Sequence, residues 1–285
     1  MPSSAAELIQ LLDLEVIEDN LFRGQQPDTM LQRVFGGQVA AHALVAAART
    51  VSTAYVVHSL HSYFLRPGDT AVPIVYDVES VRDGRSFATR RVIARQHGRP
   101  IFALTCSFQV PEQGREHQDT MPEVPAPQDC IDLAERFRER GGVSEEWERE
   151  WAALEVRYAG DSRRGGPLED PAIPARARLW IRVNGELPDD PLQHTAAFTY
   201  ASDMTLLAAS LVPHDTHIDA PDVVAASLDH SIWFQQPFRA DRWWLYDQHS
   251  PAAGGGRGLV MARVFSESGQ LVANVAQEGL IRVAR

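Results

Sequence analysis

The sequence predicts an α+β fold in which an antiparallel sheet wraps round a buried helix and the unit then repeats. Three observations carry this. Phe35–Arg49 is rich in alanine and apolar on nearly every side, the mark of a helix buried all round. The fifty or so residues after it read as hairpin-linked strands. The same helix-then-strands order returns from about residue 189.

In chain order, Ser4-Ala5-Ala6-Glu7 has the form of a capping box, and Leu8, Leu11, Leu12 and Leu14 make a short amphipathic helix after it. Residues 21–33, with Gly24 and Pro27, read as loop. Beyond the buried helix, His58–Leu65 is a strand that ends at the turn signal Arg66-Pro67-Gly68-Asp69. Ile74–Val81 alternates, with Ile74, Tyr76 and Val78 opposite Val75, Asp77 and Glu79. Asp83-Gly84 marks a hairpin, and Ser86–Arg95 and Ile101–Val110 are strands joined around His97-Gly98.

Residues 111–175 differ. Pro111, Pro122, Pro125 and Pro127 punctuate the start, the charged stretch Asp132–Trp151 reads as an exposed helix, and Arg163-Arg164-Gly165-Gly166-Pro167 as loop. Asp189-Asp190-Pro191 then starts a helix, apolar residues run from Ala196 to Leu211, and Tyr200–Ser210 reads as a core helix with Asp203 inside it. Strands follow at Val223–Phe234, Trp243–Gln248, Leu259–Phe265 and Leu271–Arg282, with turns at Gly254-Gly255-Gly256 and Ser268-Gly269. The chain thus divides into a first unit, 1–110, a connecting segment, 111–175, and a second unit, 176–285.

Composition removes whole classes of function. Twenty-seven basic against 38 acidic residues leave a net charge of −11, which argues against nucleic acid or an anionic membrane as partner. There is no lysine, hence no Schiff base, no pyridoxal-phosphate anchor and no P-loop lysine. Cys106 and Cys130 form neither a zinc knuckle nor a CxxC pair, and Cys106 reads as a small core residue. A reducing, cytoplasmic location is expected, with no signal peptide and no run of about 18 apolar residues. GxSxG and HExxH are absent, and no cofactor or metal is expected.

The two halves align by hand. Phe35-Gly36-Gly37-Gln38 sits over Tyr200-Ala201-Ser202-Asp203, Ser59-Leu60 over Ser227-Leu228, Phe64-Leu65-Arg66-Pro67 over Phe234-Gln235-Gln236-Pro237, and Ile101-Phe102-Ala103 over Leu271-Val272-Ala273. Two curved sheets joined edge to edge would hide a pair of strand edges. In the second half, polar residues interrupt apolar elements at Asp203, Ser227 and Gln277, whose counterparts are Gln38, Ser59 and Ser107. Only the second half therefore holds a carboxylate, a hydroxyl and an amide together. A carboxylate accepts a proton from water, and the other two groups position that water or polarise a carbonyl. By themselves the residues leave Asp203 open between this role and that of a helix cap or surface group.

Six collinear segments narrow the choice: Leu21-Phe22-Arg23-Gly24-Gln25, Val34–Val39, His58–Asp69, Tyr200–Asp203, Asp229–Phe234 and Ala276–Gly279. Together they resemble the acyl-CoA thioesterase II family, over residues from about 8 to 110 and from about 176 to 282. The resemblance implies a double hot-dog fold, two antiparallel sheets each wrapped round a long central helix. It implies hydrolysis of fatty acyl-CoA to free fatty acid and CoA, with Asp203, Ser227 and Gln277 activating the water, and a homodimer or homotetramer. Ser227 stands where the family usually has threonine, and Gln235-Gln236 where it often has His-Arg. Arg82, Arg85, Arg90 and Arg91 are candidates for CoA phosphates or plain solvated residues. The rival readings are a hot-dog enoyl-CoA hydratase or dehydratase, which needs a histidine with a carboxylate (His61 or His230 with Asp229), and a non-catalytic acyl-CoA binding protein.

Overall fold

A computed structural model describes residues 1–139, 145–173, 175–214, 216–218 and 220–283. The first half contains α1 (Ala5–Leu12), β1 (Glu15–Glu18), β2 (Leu21–Gly24), α2 (Gly36–Ala48), β3 (Val56–Phe64), β4 (Ile74–Asp83), β5 (Phe87–Gln96) and β6 (Arg99–Gln109). Between the halves come β7 (Ile131–Asp132), α3 (Leu133–Glu139), α4 (Glu145–Glu150) and β8 (Leu154–Asp161). The second half has β9 (Arg176–Val183), α5 (Pro191–Ser202), a 3₁₀ segment Leu207–His214, β10 (Val223–Ser227), β11 (Asp229–Phe234), β12 (Trp244–Gly254), β13 (Arg257–Ser266) and β14 (Leu271–Val283). No helix among the described residues is long and apolar enough to cross a membrane.

All strands belong to one sheet, in the order β1-β2-β4-β5-β6-β3-β11-β14-β13-β12-β9-β8-β7, with β10 also paired to β14. The halves meet edge to edge where β3 and β11 pair antiparallel, Ser231 opposite His61 and Ile232 opposite Leu60. Each half thereby removes an open edge from the other. Together with the buried helices this is the double hot-dog architecture.

Local chemistry explains the elements. Ser4 caps α1 by accepting from Glu7 N–H at 3.2 Å, while the Glu7 carboxylate accepts from Ser3 rather than from the cap residue itself. α2 is buried along almost its whole length, Ala40, Ala41, Ala43 and Leu44 being fully enclosed under the first half's strands. Small side chains let the sheet approach on every side. In α5, Asp190 caps the start by accepting from Leu192 N–H at 2.9 Å, with Pro191 in the first turn.

Several expectations need correction. Part of the expected loop 21–33 is strand: Leu21–Gly24 pairs with β4, Phe22 opposite Tyr76. The short run hides only Phe22 and Gly24, too little alternation to show in the sequence. Val223–Phe234 is two strands, broken at Leu228. The charged stretch Asp132–Trp151 holds two short helices, and its residues 140–144 lie outside the described ones. Tyr200–Ser210 is not one helix: α5 ends at Ser202, Asp203 is its C-cap, and a 3₁₀ segment begins at Leu207. Pro213 lacks the N–H an α-helix would need, and the Ser210 hydroxyl takes the Leu207 carbonyl at 2.7 Å.

That break reveals what corresponds to what. The 3₁₀ segment packs on β9, β12, β13 and β14, as α2 packs on β4, β5 and β6. Gly279 and Gly258 lie where an added Cβ would strike Leu207 at 2.4 Å and Ser210 at 2.8 Å, so the sheet sits directly on it. The second half's central helix is therefore short and 3₁₀, whereas α5 lies alongside α2, its Tyr200 carbonyl only 2.2 Å from where a Cβ on Gly37 would sit.

The proline-rich start of residues 111–175 lies on the outer face of the second half's strands. Pro125 accepts from the Trp180 indole N–H at 2.9 Å, and Met121 and Val124 cover Trp180, Leu245 and Phe265. Asp119 holds Arg263 at 3.0 Å, and Arg263 and Arg178 both grip Asp247.

Candidate active site

Asp203, Ser227 and Gln277, far apart in sequence, converge. Asp203 ends α5 in an αR conformation. Ser227 is the last residue of β10, and Gln277 points inward from β14. The Ser227 hydroxyl donates to Asp203 Oδ1 at 3.2 Å, and Gln277 Nε2 donates to the same oxygen at 2.5 Å and to Ser227 Oγ at 2.7 Å. Gln277 is fully buried, Asp203 and Ser227 only partly.

The first half supplies a fourth member. α2 begins at Gly36, and its N-terminus abuts the Asp203 carboxylate, which accepts from the Gly37 N–H. A Cβ on Gly36 would stand 2.5 Å from Asp203 Oδ2. Only glycine admits that approach, and the exposed N–H groups of a helix start favour negative charge. Sequence reasoning did not assign Gly36 and Gly37 to the site, although a glycine pair opening a buried helix was the available signal.

Burial raises the pKa of Asp203 from 3.8 to about 6, against the donated hydrogen bonds of Gln277, Ser227 and Gly37, which lower it. The result is a carboxylate largely ionised at neutral pH and basic enough to accept a proton. Gln277 Oε1 is buried and has no hydrogen-bond partner among the described residues, so it can receive a hydrogen from a small ligand such as water.

A further layer grips the end of α5. The Tyr246 hydroxyl donates to the Ser202 carbonyl at 2.9 Å. The Ser202 hydroxyl donates to Thr199 O, so the His230 Nε2, 2.8 Å from that hydroxyl, is the donor there. His230 is fully enclosed, and burial lowers its pKa to about 4, so it is neutral.

The first-half counterparts are not assembled. Gln38 donates to Gln25 O and Gln26 Oε1, and Ser107 meets His58 Nε2 at 2.8 Å. Among the described residues, no hydrogen bond joins Gln38 to Ser59 or Ser107. The rival histidine–carboxylate pairs are not formed either: His61 meets Ser231, His230 meets Ser202, and Asp229 accepts from the Glu278 N–H. His42 is a core histidine, held between Tyr76 and the Leu11 carbonyl. Arg90 is buried against Thr50 and Asp83, and Arg91 faces Glu79. Among the described residues no cluster of histidine, cysteine and carboxylates is placed to hold a metal.

A duplicated helix-and-sheet unit joined edge to edge defines a double hot-dog protein, and its halves differ by one carboxylate–hydroxyl–amide cluster. Comparison with known proteins agrees. The family model for acyl-CoA thioesterase matches residues 167–280, and that for the acyl-CoA thioesterase N-terminal domain matches 26–109. Acyl-CoA thioesterase 2 of Haemophilus influenzae is 42% identical over 276 residues, covering 96% of each chain. Human acyl-coenzyme A thioesterase 8 is 40% identical over 282 residues, covering 96% of this chain and 88% of its own. The crystal structure of acyl-CoA thioesterase II TesB2 from Mycobacterium marinum superposes with a TM-score of 0.82 at 44% identity, covering 97% of this chain and 98% of its own. The chain belongs to the acyl-CoA thioesterase family.

Proposed function

We propose that this protein hydrolyses fatty acyl-CoA to free fatty acid and CoA, with Asp203, Ser227 and Gln277 activating the attacking water. The observation that carries the reading is the mutual hydrogen bonding of these three groups at the start of α2. Water held by Gln277 Oε1 and the carboxylate loses a proton to Asp203 as its oxygen attacks the thioester carbonyl. Charge then develops on the carbonyl oxygen, and the helix start favours it electrostatically. As the C–S bond breaks, the proton on Asp203 passes to the departing thiolate. A thioester carbonyl is weakly resonance-stabilised, so no covalent acyl-enzyme is required. A positioned base of this kind contributes about 10²–10⁴-fold.

In this reading residues 1–110 supply the helix start, 176–285 supply the reacting groups, and 111–175 connect them. A cytoplasmic homodimer or homotetramer belongs to the same proposal, and light scattering on the purified protein tests the assembly.

The decisive experiment is steady-state hydrolysis of an acyl-CoA series, read by thiol release. Turnover on at least one chain length is expected. Saturable binding without turnover would favour a binding protein, and hydration of a crotonyl-type substrate would favour a hydratase.

A further inference from the structure

CoA carries a diphosphate and a 3′-phosphate, and this chain has no lysine to hold them. Its net charge of −11 repels such a ligand from a distance, so guanidinium groups must supply the local attraction. Many arginines are already committed: Arg90 to Asp83, Arg91 to Glu79, Arg178 and Arg263 to Asp247, and Arg257 to Glu278. Arg66 and Arg99 have no carboxylate partner among the described residues, and both line one cavity of about 300 Å³ with Asp69, Gln96 and His97.

The wall of this cavity is built. The Gln96 side chain, 5% exposed, donates to Asp69 O at 2.8 Å and to Val72 O, and accepts from the Asp69 N–H. Arg66 is anchored through one nitrogen on Pro100 O at 2.6 Å. The Asp69 carboxylate is occupied by His97 Nε2 at 2.9 Å and by the Ala71 N–H. His97 holds φ +50°, a left-handed conformation uncommon outside glycine, and in it the ring meets Asp69.

Two chain segments link the cavity to the reacting centre. The Phe64 ring lies 2.8 Å from where a Cβ on Gly36 would sit, beside Asp203, and Arg66 follows two residues later, in the bend after β3. On the other side Val34, two residues before Gly36, donates its N–H to Gly68 O at 3.1 Å in the same turn. The repeat adds a complementary asymmetry. The second half has the carboxylate where the first has Gln38, and the first has Arg66 where the second has Gln236. The two departures from symmetry meet at one seam.

We propose that the Arg66–Arg99 cavity holds the phosphates of the CoA moiety; the proposal rests on the thioesterase reading above. The test is the double variant Arg66→Gln/Arg99→Gln, assayed on an acyl-CoA and on the N-acetylcysteamine thioester of the same acyl group, which has the reacting bond and no phosphate. KM for acyl-CoA rises about tenfold or more, as the loss of charge-assisted phosphate contacts requires, with kcat unchanged and the short thioester unaffected. Arg66→Lys/Arg99→Lys recovers part of the KM. Adenosine 3′,5′-bisphosphate, titrated calorimetrically, binds wild type and loses affinity in the Gln double variant. An unchanged KM, an equal loss on both substrates, or undiminished bisphosphate binding overturns the proposal. If wild type hydrolyses neither thioester, the reaction reading fails, and the bisphosphate titration still decides the cavity.

Discussion

Replacing Asp203 with asparagine separates what the carboxylate does for the reaction from what it does to the fold. Its pKa rises from 3.8 to about 6 on folding, and about 1.4 kcal/mol accompanies each pH unit. The folded state therefore disfavours the ionised form by about 2–3 kcal/mol, allowing for its partial exposure. Because the folded value lies above the unfolded one, the native state binds the proton more tightly. That contribution is full below about pH 4 and lost as pH rises through about 6. Asparagine cannot ionise, but it turns one acceptor oxygen into a donor beside the start of α2, at a cost of about 1–2 kcal/mol. The two stability curves should therefore cross. At pH 4 Asp203→Asn is the less stable by about 1–2 kcal/mol, and at pH 7 it equals or exceeds wild type by up to about 1–2 kcal/mol. Urea unfolding at intervals between pH 4 and 7 measures this. A stability difference that stays constant across that range would refute a raised pKa at Asp203.

Other predictions concern the reaction and its frame. The kcat/KM profile should have an acidic limb with its midpoint near pH 6, tenfold lower activity being reached about one pH unit below it; a limb near 4 would place the base elsewhere. Gln277→Ala should lower kcat by about 10²-fold or more with little change in KM, measured by thiol release. Gly36→Ala should displace the Asp203 carboxylate or the Phe64 ring, destabilising by about 1–3 kcal/mol and reducing kcat even where the protein is fully folded by circular dichroism. Gln38→Asp should create no second site, since Gln38 bonds to Gln25 and Gln26 and not to Ser59 or Ser107; a wild-type rate on an Asp203→Asn background would contradict this.

Legibility followed the strength of periodic signals. β5 alternates along its whole length, β4 over Ile74–Val78 and β6 from Phe102 onward, and all three sit close to where their patterns end. β2, four residues long, and β9, where no element was expected, carried no such pattern, and their places come from pairing with distant strands. The boundary at Ser202 was hidden because apolar residues continue across it: alternation of burial does not distinguish an α-helix from a 3₁₀ turn packed under the same sheet. Asp203, Ser227 and Gln277 were visible as polar interruptions in apolar runs. The start of α2 was not, because it contributes backbone N–H groups and its one trace in residue type is the Gly36-Gly37 pair. Tyr246 carried no signal in the sequence, and His230 stood there only as half of a rival pair with Asp229, until the fold put Ser202 between them.

The pairing of β3 with β11 has a consequence for how loss of structure can be observed. All six tryptophans lie between residues 147 and 244, so indole emission reports chiefly the later part of the chain, with Trp151 against Phe35 and Trp233 against His61 sensing the early part as well. On the proposed mechanism, catalytic turnover instead requires Gly36 and Gly37 from the early part and Asp203 from the late part to remain in register across one continuous sheet. Turnover and emission therefore weight the two territories differently. Coincident denaturation curves would establish that the seam transmits unfolding as a single cooperative event, and turnover vanishing ahead of emission would mean that the early territory melts first while its neighbour stands.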